Sequence, residues 1–211
     1  MTIFIFTLAI HNSFTPWTFE CMRDKKYISI GNMALKIETG IGIACFCFSL
    51  FAPELIYILG GDNYMDAIWI VPPVAMSILF QTIYTFFGNI EFYFEKTKFV
   101  MFASFIVAIL NIVLNAIFIP IYGFIAAGYT TLFCYIIYSF VHYLFMLYIC
   151  KQNGTSKIYN GLKIWFLGVL AVLLSLISLM LYFNTIIRYI IIFFGIIFMY
   201  IIWKKFKKEI N

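Results

Sequence analysis

The sequence predicts an all-α protein integral to a membrane, and three observations carry that prediction. Of the 211 residues, 64% are hydrophobic and 11% are charged, whereas a soluble domain has about 25% charged residues. The apolar residues include six stretches of roughly the 20 residues that a helix needs to cross the hydrocarbon core. Lysine and arginine concentrate in alternate joints between these stretches, so neighbouring stretches are expected to run in opposite directions.

The elements follow in order. Residues 2–10 are apolar but too short to span, and we interpret them as the tail of a seventh helix. Residues 11–36, with Pro16 and several charges, are predicted to form a basic interfacial connector. Six complete spans are predicted over residues 37–59, 67–90, 99–119, 124–150, 164–183 and 186–203. The chain therefore divides into a helix end with a connector (1–36), a four-helix part (37–150), and two peripheral helices with a basic tail (151–211).

The basic residues predict an orientation. Thirteen of the 14 lysines and arginines fall in the connector, the second–third and fourth–fifth joints and the tail, and Arg188 alone falls on the other side. The positive-inside rule places the first group, and with it the C-terminus, in the cytoplasm. The net charge of +5 then reflects orientation and contact with lipid head groups. It does not indicate a nucleic-acid partner.

The joint at residues 120–123 predicts a tight antiparallel helix pair. Pro120 disfavours helical geometry at Ile119, and Gly123 can take the backbone angles of a reversal. Small or polar residues recur at helical spacing on each side of it: Ser104, Ala108, Asn111 and Asn115 before it, and Gly123, Ala127 and Thr131 after it. These stripes fit either close helix packing with interhelical hydrogen bonds or the wall of a polar cavity.

Charged residues suggest one candidate gate. Lys36, Glu38, Glu91 and Glu95 fall at the cytoplasmic ends of the first two predicted spans, either as a gate for a charged head group or as loop-end charges that reach to water. The middle third of every predicted span lacks charge, which argues against ion coupling in this part. His142 is interpreted as a hydrogen-bonding group of the bundle. We find no nucleophile–base pattern, phosphate loop or metal-ligand spacing, so we predict no enzyme activity, cofactor or metal.

The residues around the joint resemble a known family. The pattern Asn111-x3-Asn115-x4-Pro120-x-Tyr122-Gly123-x2-Ala126-Ala127-x2-Thr130-Thr131 is similar to the helix hairpin of Wzx-type polysaccharide flippases, in the multidrug/oligosaccharidyl-lipid/polysaccharide exporter superfamily. Supporting pieces are His11-Asn-Ser-Phe-x-Pro16-Trp17, Leu50-Phe-Ala-Pro53-Glu54 and Gly60-Gly61-Asp-x-Tyr64. The resemblance extends over about residues 10–150.

The resemblance implies a fold and a function. Such proteins have two six-helix lobes and move undecaprenyl-pyrophosphate-linked oligosaccharide across the bacterial inner membrane by alternating access, together with other polysaccharide assembly proteins. This chain would be the C-terminal half of one, with the first lobe absent, and alone it should not flip lipid. Gln81, Asn89, Asn111 and Asn115 would line the substrate cavity or pack the lobes. A drug/cation antiporter of the same superfamily, a membrane glycosyl- or acyltransferase, and a non-transporting remnant stay open as alternatives.

Overall fold

A computed structural model describes residues 2–155 and 157–210 of the protein. The described part is about 90% helical and contains no strand. Its elements are α1 (Thr2–Arg23), α2 (Tyr27–Leu50), α3 (Ala52–Gly60), a 3-10 helix (Asp62–Trp69), α4 (Val71–Tyr93), α5 (Thr97–Tyr122), α6 (Ala126–Gln152), α7 (Gly161–Met180), a short 3-10 turn (Leu181–Phe183) and α8 (Thr185–Ile210).

Five of these helices are long and apolar enough to cross a membrane: α2, α4, α5, α6, and α7 with its 3-10 extension. The prediction of an all-α fold is therefore confirmed for the described residues, and the five candidate spans support the predicted multi-pass membrane protein. Six complete spans are not confirmed, because the apolar part of α8 that was assessed, Thr185–Phe198, is shorter than a span. The sixth span stays a prediction.

Helix α4 lies at the centre of the bundle and packs against α1, α2, α6 and α7. Its buried apolar side chains surround the helix because α4 has neighbours on nearly every side. Pro72 and Pro73 occupy its first turn, where a missing backbone N–H leaves no hydrogen bond unmade. The core residues of α4 are Leu79, Phe80, Ile83, Phe86, Phe87 and Ile90.

The predicted connector over residues 11–36 is wrong in its boundaries. Helix α1 continues to Arg23, and α2 begins at Tyr27, so only residues 24–26 form a turn. Pro16 lies inside α1, where the helix gives up one backbone hydrogen bond. Gly31 lets the start of α2 lie directly against the backbone of residues 158–159. The charges that suggested a loop are compatible with helix, and packing decides the outcome.

Helices α5 and α8 lie at the edge of the bundle, whereas α7 packs against both α2 and α4. The expectation that residues 151–211 hold two helices at the edge therefore agrees with the position of α8 and needs correction for α7. Small residues on one face of α7 allow its approach: Gly168 lies against Phe80 and Ile83, and Ala171 lies near Gly42. The buried positions of α7 lie on one helix face, at spacings of 3, 4, 7 and 3 residues: Gly161, Ile164, Gly168, Ser175 and Ser178.

Alternate joints lie at the same end of the bundle. The α6–α7 joint touches the start of α2 at Gly31, and the Tyr159 hydroxyl in that joint donates a 2.8 Å hydrogen bond to the carbonyl of Phe86 near the end of α4. At the opposite end, the Tyr182 hydroxyl donates 2.9 Å to the carbonyl of Ser49 near the end of α2. This arrangement agrees with the alternation of basic residues. The compartment that each end faces stays a prediction.

The α5–α6 joint is tight, as the sequence predicts. Gly123 takes a left-handed conformation with φ of 72°, which confirms its role in the reversal. The expected end of the helix before Pro120 is wrong, because α5 continues to Tyr122 with Pro120 in its last turn. A residue before proline is disfavoured in a helix but not excluded from it.

Candidate functional site

The candidate site is a hydrogen-bonded pair that joins α4 to α6. One carboxylate oxygen of Glu91, in the last turn of α4, lies 2.7 Å from Nδ1 of His142 in α6. Both side chains are fully buried. The sequence predicts His142 as a hydrogen-bonding group of the bundle but does not identify its partner, which is 51 residues away along the chain. The parallel packing of α4 and α6, which are connected through the antiparallel α5, brings the two together.

Aromatic rings enclose the pair. The edge of the imidazole faces Tyr138 with ring centroids 4.4 Å apart, and Tyr84 and Phe99 lie 5.3 and 5.7 Å away. The Tyr138 hydroxyl is hydrogen-bonded to Ser104 of α5 at 2.5 Å. The second oxygen of Glu91 and Nε2 of His142 have no hydrogen-bond partner among the described residues. An acid and a base that share one hydrogen bond in dry surroundings can hold or pass a proton.

The two predicted asparagines of α5 lie at its contact with α6. The Asn115 amide donates to Oδ1 of Asn111 at 3.1 Å, and the Thr130 hydroxyl donates to Oδ1 of Asn115. Asn111 in turn donates to the Cys134 thiol at 3.7 Å. Thr131, which the predicted stripe placed in this face, instead donates to a carbonyl of its own helix. The contact face of α6 therefore starts one residue earlier than expected. The Thr130–Asn115 and Asn111–Cys134 contacts are interhelical hydrogen bonds, whereas the Asn115–Asn111 bond lies within α5.

The predicted residues of α4 lie elsewhere. Oδ1 of the buried Asn89 accepts a 3.1 Å hydrogen bond from the Thr15 hydroxyl, which fastens α1 to α4. Gln81 is half-buried, and its backbone carbonyl accepts from the Thr85 hydroxyl. Asn89 thus serves the α1–α4 contact, whereas Asn111 and Asn115 serve the α5–α6 contact. The structure does not bring the four into one cavity wall.

A cavity of about 750 Å³ lies at the α5–α6 turn. Its wall is almost wholly apolar and holds none of the four predicted residues. Such a wall does not suit a sugar or a pyrophosphate, because their polar groups would lose hydrogen bonds to water without replacement. The wall of the cavity is formed by Leu114, Phe118, Tyr122, Ile125, Ala126, Tyr129, Thr130 and Phe133.

The predicted gate does not form as a group of end charges. Glu95 is exposed in the turn after α4, Lys36 is half-buried within α2, and Glu38 and Glu91 are buried. Glu38 lies near the middle of α2, and neither of its carboxylate oxygens has a hydrogen-bond partner among the described residues. The expectation that charge is absent from the middle of every span is therefore wrong for α2. It failed because the helix begins at Tyr27, ten residues before the predicted start of the span.

A partly buried ion pair, with Arg188 buried and Glu54 partly exposed, lies at the opposite end of the bundle. Arg188 of α8 binds Glu54 of α3, and the Tyr189 hydroxyl donates to the same carboxylate oxygen at 2.8 Å. Arg188 is the basic residue that the charge pattern left alone on this side. The pair fastens α8 to the bundle and neutralises both charges where they leave water.

The described residues hold no group of three histidine, cysteine, aspartate or glutamate side chains arranged for a metal ion. All five cysteines are buried free thiols, in line with their interpretation as small apolar side chains. Comparison of the chain with protein-family models, with curated proteins and with solved structures finds no match.

Proposed function

We propose that this chain is the C-terminal part of a Wzx-type exporter that moves undecaprenyl-pyrophosphate-linked oligosaccharide across the bacterial inner membrane. The observation that supports transport is the buried Glu91–His142 pair within helices that are candidate spans. Ionisable side chains buried among spanning helices are rare, and they mark transport paths more often than stability. The substrate class comes from the resemblance of the hairpin at residues 111–131.

Alternating access needs contacts that can open and close. The Glu91–His142 bond joins α4, at the centre of the bundle, to α6, one of its main neighbours. A polar bond at such a contact can be exchanged for water when the helices separate, which an apolar contact cannot do without loss.

Complementation of a flippase-deficient bacterial strain tests the proposal. The strain receives the complete open reading frame that includes this chain, either as wild type or with Glu91→Gln. Glu95→Gln is the matched control, because Glu95 is four residues away and exposed. We expect wild type and the control to restore surface polysaccharide, and Glu91→Gln to reduce it at equal protein level. Failure of the wild-type frame in strains that lack different flippases would refute the assignment.

A drug/cation antiporter is the second candidate, and Glu38 favours it. A buried carboxylate near the middle of α2, with no partner among the described residues, is the type of group that binds a coupling cation. Replacement by methionine removes an unsatisfied polar group and should stabilise the fold by about 1–3 kcal/mol. If the protein is an antiporter, Glu38→Met abolishes cation-driven drug efflux from cells while the protein becomes more stable. Unchanged complementation of the flippase defect by the same variant would exclude this role for Glu38.

A further inference from the structure

We propose that Glu91 and His142 together form one proton-binding site whose occupancy controls the contact between α4 and α6. The regulatory purpose rests on the proposed transport function, whereas the binding of the proton does not. The pair is a site of its own because the two groups are joined at 2.7 Å, fully buried, and contributed by different helices.

Charge counting shows why one proton belongs to the pair. With a carboxylate and a neutral imidazole, the pair has a net charge of −1. One proton taken from water makes it neutral, whether the proton lies on the imidazole or on the carboxyl group. A second proton gives a net charge of +1. Burial penalises both charged states, so the singly loaded pair is favoured, and its titration belongs to the pair and not to either residue.

The surroundings reinforce this preference. The titratable side chains that lie against the pair are Tyr84 from α4 and Tyr138 from α6, and both are neutral phenols near neutral pH. From α5, the pair meets the ring of Phe99, while the Ser104 hydroxyl satisfies Tyr138. None of these groups from the three packed helices carries a charge that could replace the proton.

The net charge buried at the contact between the helices depends on the proton. In the loaded pair, a charge-assisted or neutral hydrogen bond crosses the α4–α6 contact without net charge. When the proton is lost, one negative charge remains between apolar rings, and it is relieved only when the helices part and water enters. Loading with a proton should therefore favour the closed contact, and release should favour the open one.

Infrared difference spectroscopy of the full chain in lipid nanodiscs tests the site. The pH is stepped, and the carboxyl and imidazole bands are followed in wild type, Glu91→Gln, His142→Gln and the double variant. Glu95→Gln is the control. We expect the carboxyl and imidazole bands of the wild type and of the control to change together at one midpoint. Each single variant should lose this joint change. The double variant, in which two amides can still hydrogen-bond, should keep the thermal stability of the wild type and bind no proton at this site.

Each result has a defined meaning. Independent midpoints for the two bands in the wild type, or a joint change that persists in the double variant, would overturn the proposal. If a single variant does not fold, the comparison of the wild type with the double variant decides alone. Because the measurement involves no transport, a joint titration together with failed complementation would reject the flippase and keep the proton site. The opposite combination would reject the site and keep the flippase.

Discussion

Replacement of Gly31 by alanine tests how the start of α2 is fixed against the α6–α7 joint. A methyl group at this position would overlap the carbonyl oxygen of Ile158 and would lie 3.5 Å from its carbonyl carbon and 3.7 Å from Cα of Tyr159. These are backbone atoms, so no side-chain rotation can relieve the overlap. The helix or the joint must move.

The magnitude follows from a matched control in the same helix. A methyl group at Gly40 would meet nothing within 4 Å. Both substitutions gain about 1 kcal/mol of helix propensity, but only the first forces atoms into a packed contact, which costs about 1–3 kcal/mol. The difference between the free energies of unfolding of the two variants should therefore be about 1–3 kcal/mol, with Gly31→Ala the less stable.

Thermal unfolding in detergent measures this difference. All five cysteines are buried free thiols that become accessible when the protein unfolds. A thiol-reactive fluorescent dye therefore reports the loss of the fold, and no cysteine has to be introduced. We expect Gly40→Ala to melt at or above the temperature of the wild type and Gly31→Ala to melt below it. Equal melting temperatures for the two alanine variants would refute the close approach of α2 to residues 158–159.

Three further predictions follow from the same structure. Glu95 follows the end of α4 in a left-handed conformation with φ of 58°, and Gly154 follows the end of α6 with φ of 61°. Because glycine takes this conformation without strain, Glu95→Gly should stabilise the protein and Gly154→Ala should destabilise it, by about 1 kcal/mol each, measured by thermal unfolding. Thr130→Val removes the interhelical hydrogen bond to Asn115 and should cost about 0.6–2 kcal/mol in the same assay. Burial raises the pKa of Tyr159 above the ordinary 10.0, so its contribution to stability is complete below pH 10.0 and declines as the pH rises further; Tyr159→Phe should make alkaline unfolding less steep.

Each of these has its own control. If Glu95→Gly and Gly154→Ala shifted the melting temperature in the same direction, the claim that these two positions favour glycine would be wrong. Ser13, an exposed hydroxyl bonded only within α1, provides a matched change for the threonine variant, and an equal loss with Ser13→Ala would remove the interhelical argument. For the tyrosine, tyrosinate absorbance should rise together with unfolding in the wild type; ionisation well before unfolding would contradict burial.

The geometry of the α5–α6 hairpin was the feature that the sequence predicted best. The reversal at Gly123 and the α5 face with Asn111 and Asn115 both follow from spacing alone, because a helix repeats every 3.6 residues. The facing residues on α6 were placed one position late. Spacing fixes which residues share a face but not which face turns toward a neighbour, and only the rotation of the packed helix selects Thr130 over Thr131.

The sequence alone did not predict which charged side chains pair across long distances in the chain. Glu91 and His142 are separated by 51 positions, and nothing local links them. The same holds for Arg188 and Glu54, which meet at the opposite end. The distribution of lysine and arginine among the joints predicts only which end of the bundle is more basic. It carries no information on which charged side chains are buried when the helices pack.

The composition and the alternation of basic residues predicted the type of structure: apolar helices suited to a bilayer, joined by short turns, with basic residues at alternate joints. Each stretch determines these properties by itself, because every backbone polar group in lipid must be hydrogen-bonded within its own helix. The tertiary structure decided where α2 begins, that α7 packs against α2 and α4 while α5 lies at the edge, and that an acid and a histidine share a buried bond. These outcomes depend on contacts between distant segments, where small residues such as Gly31 and Gly168 allow an approach that no single helix specifies.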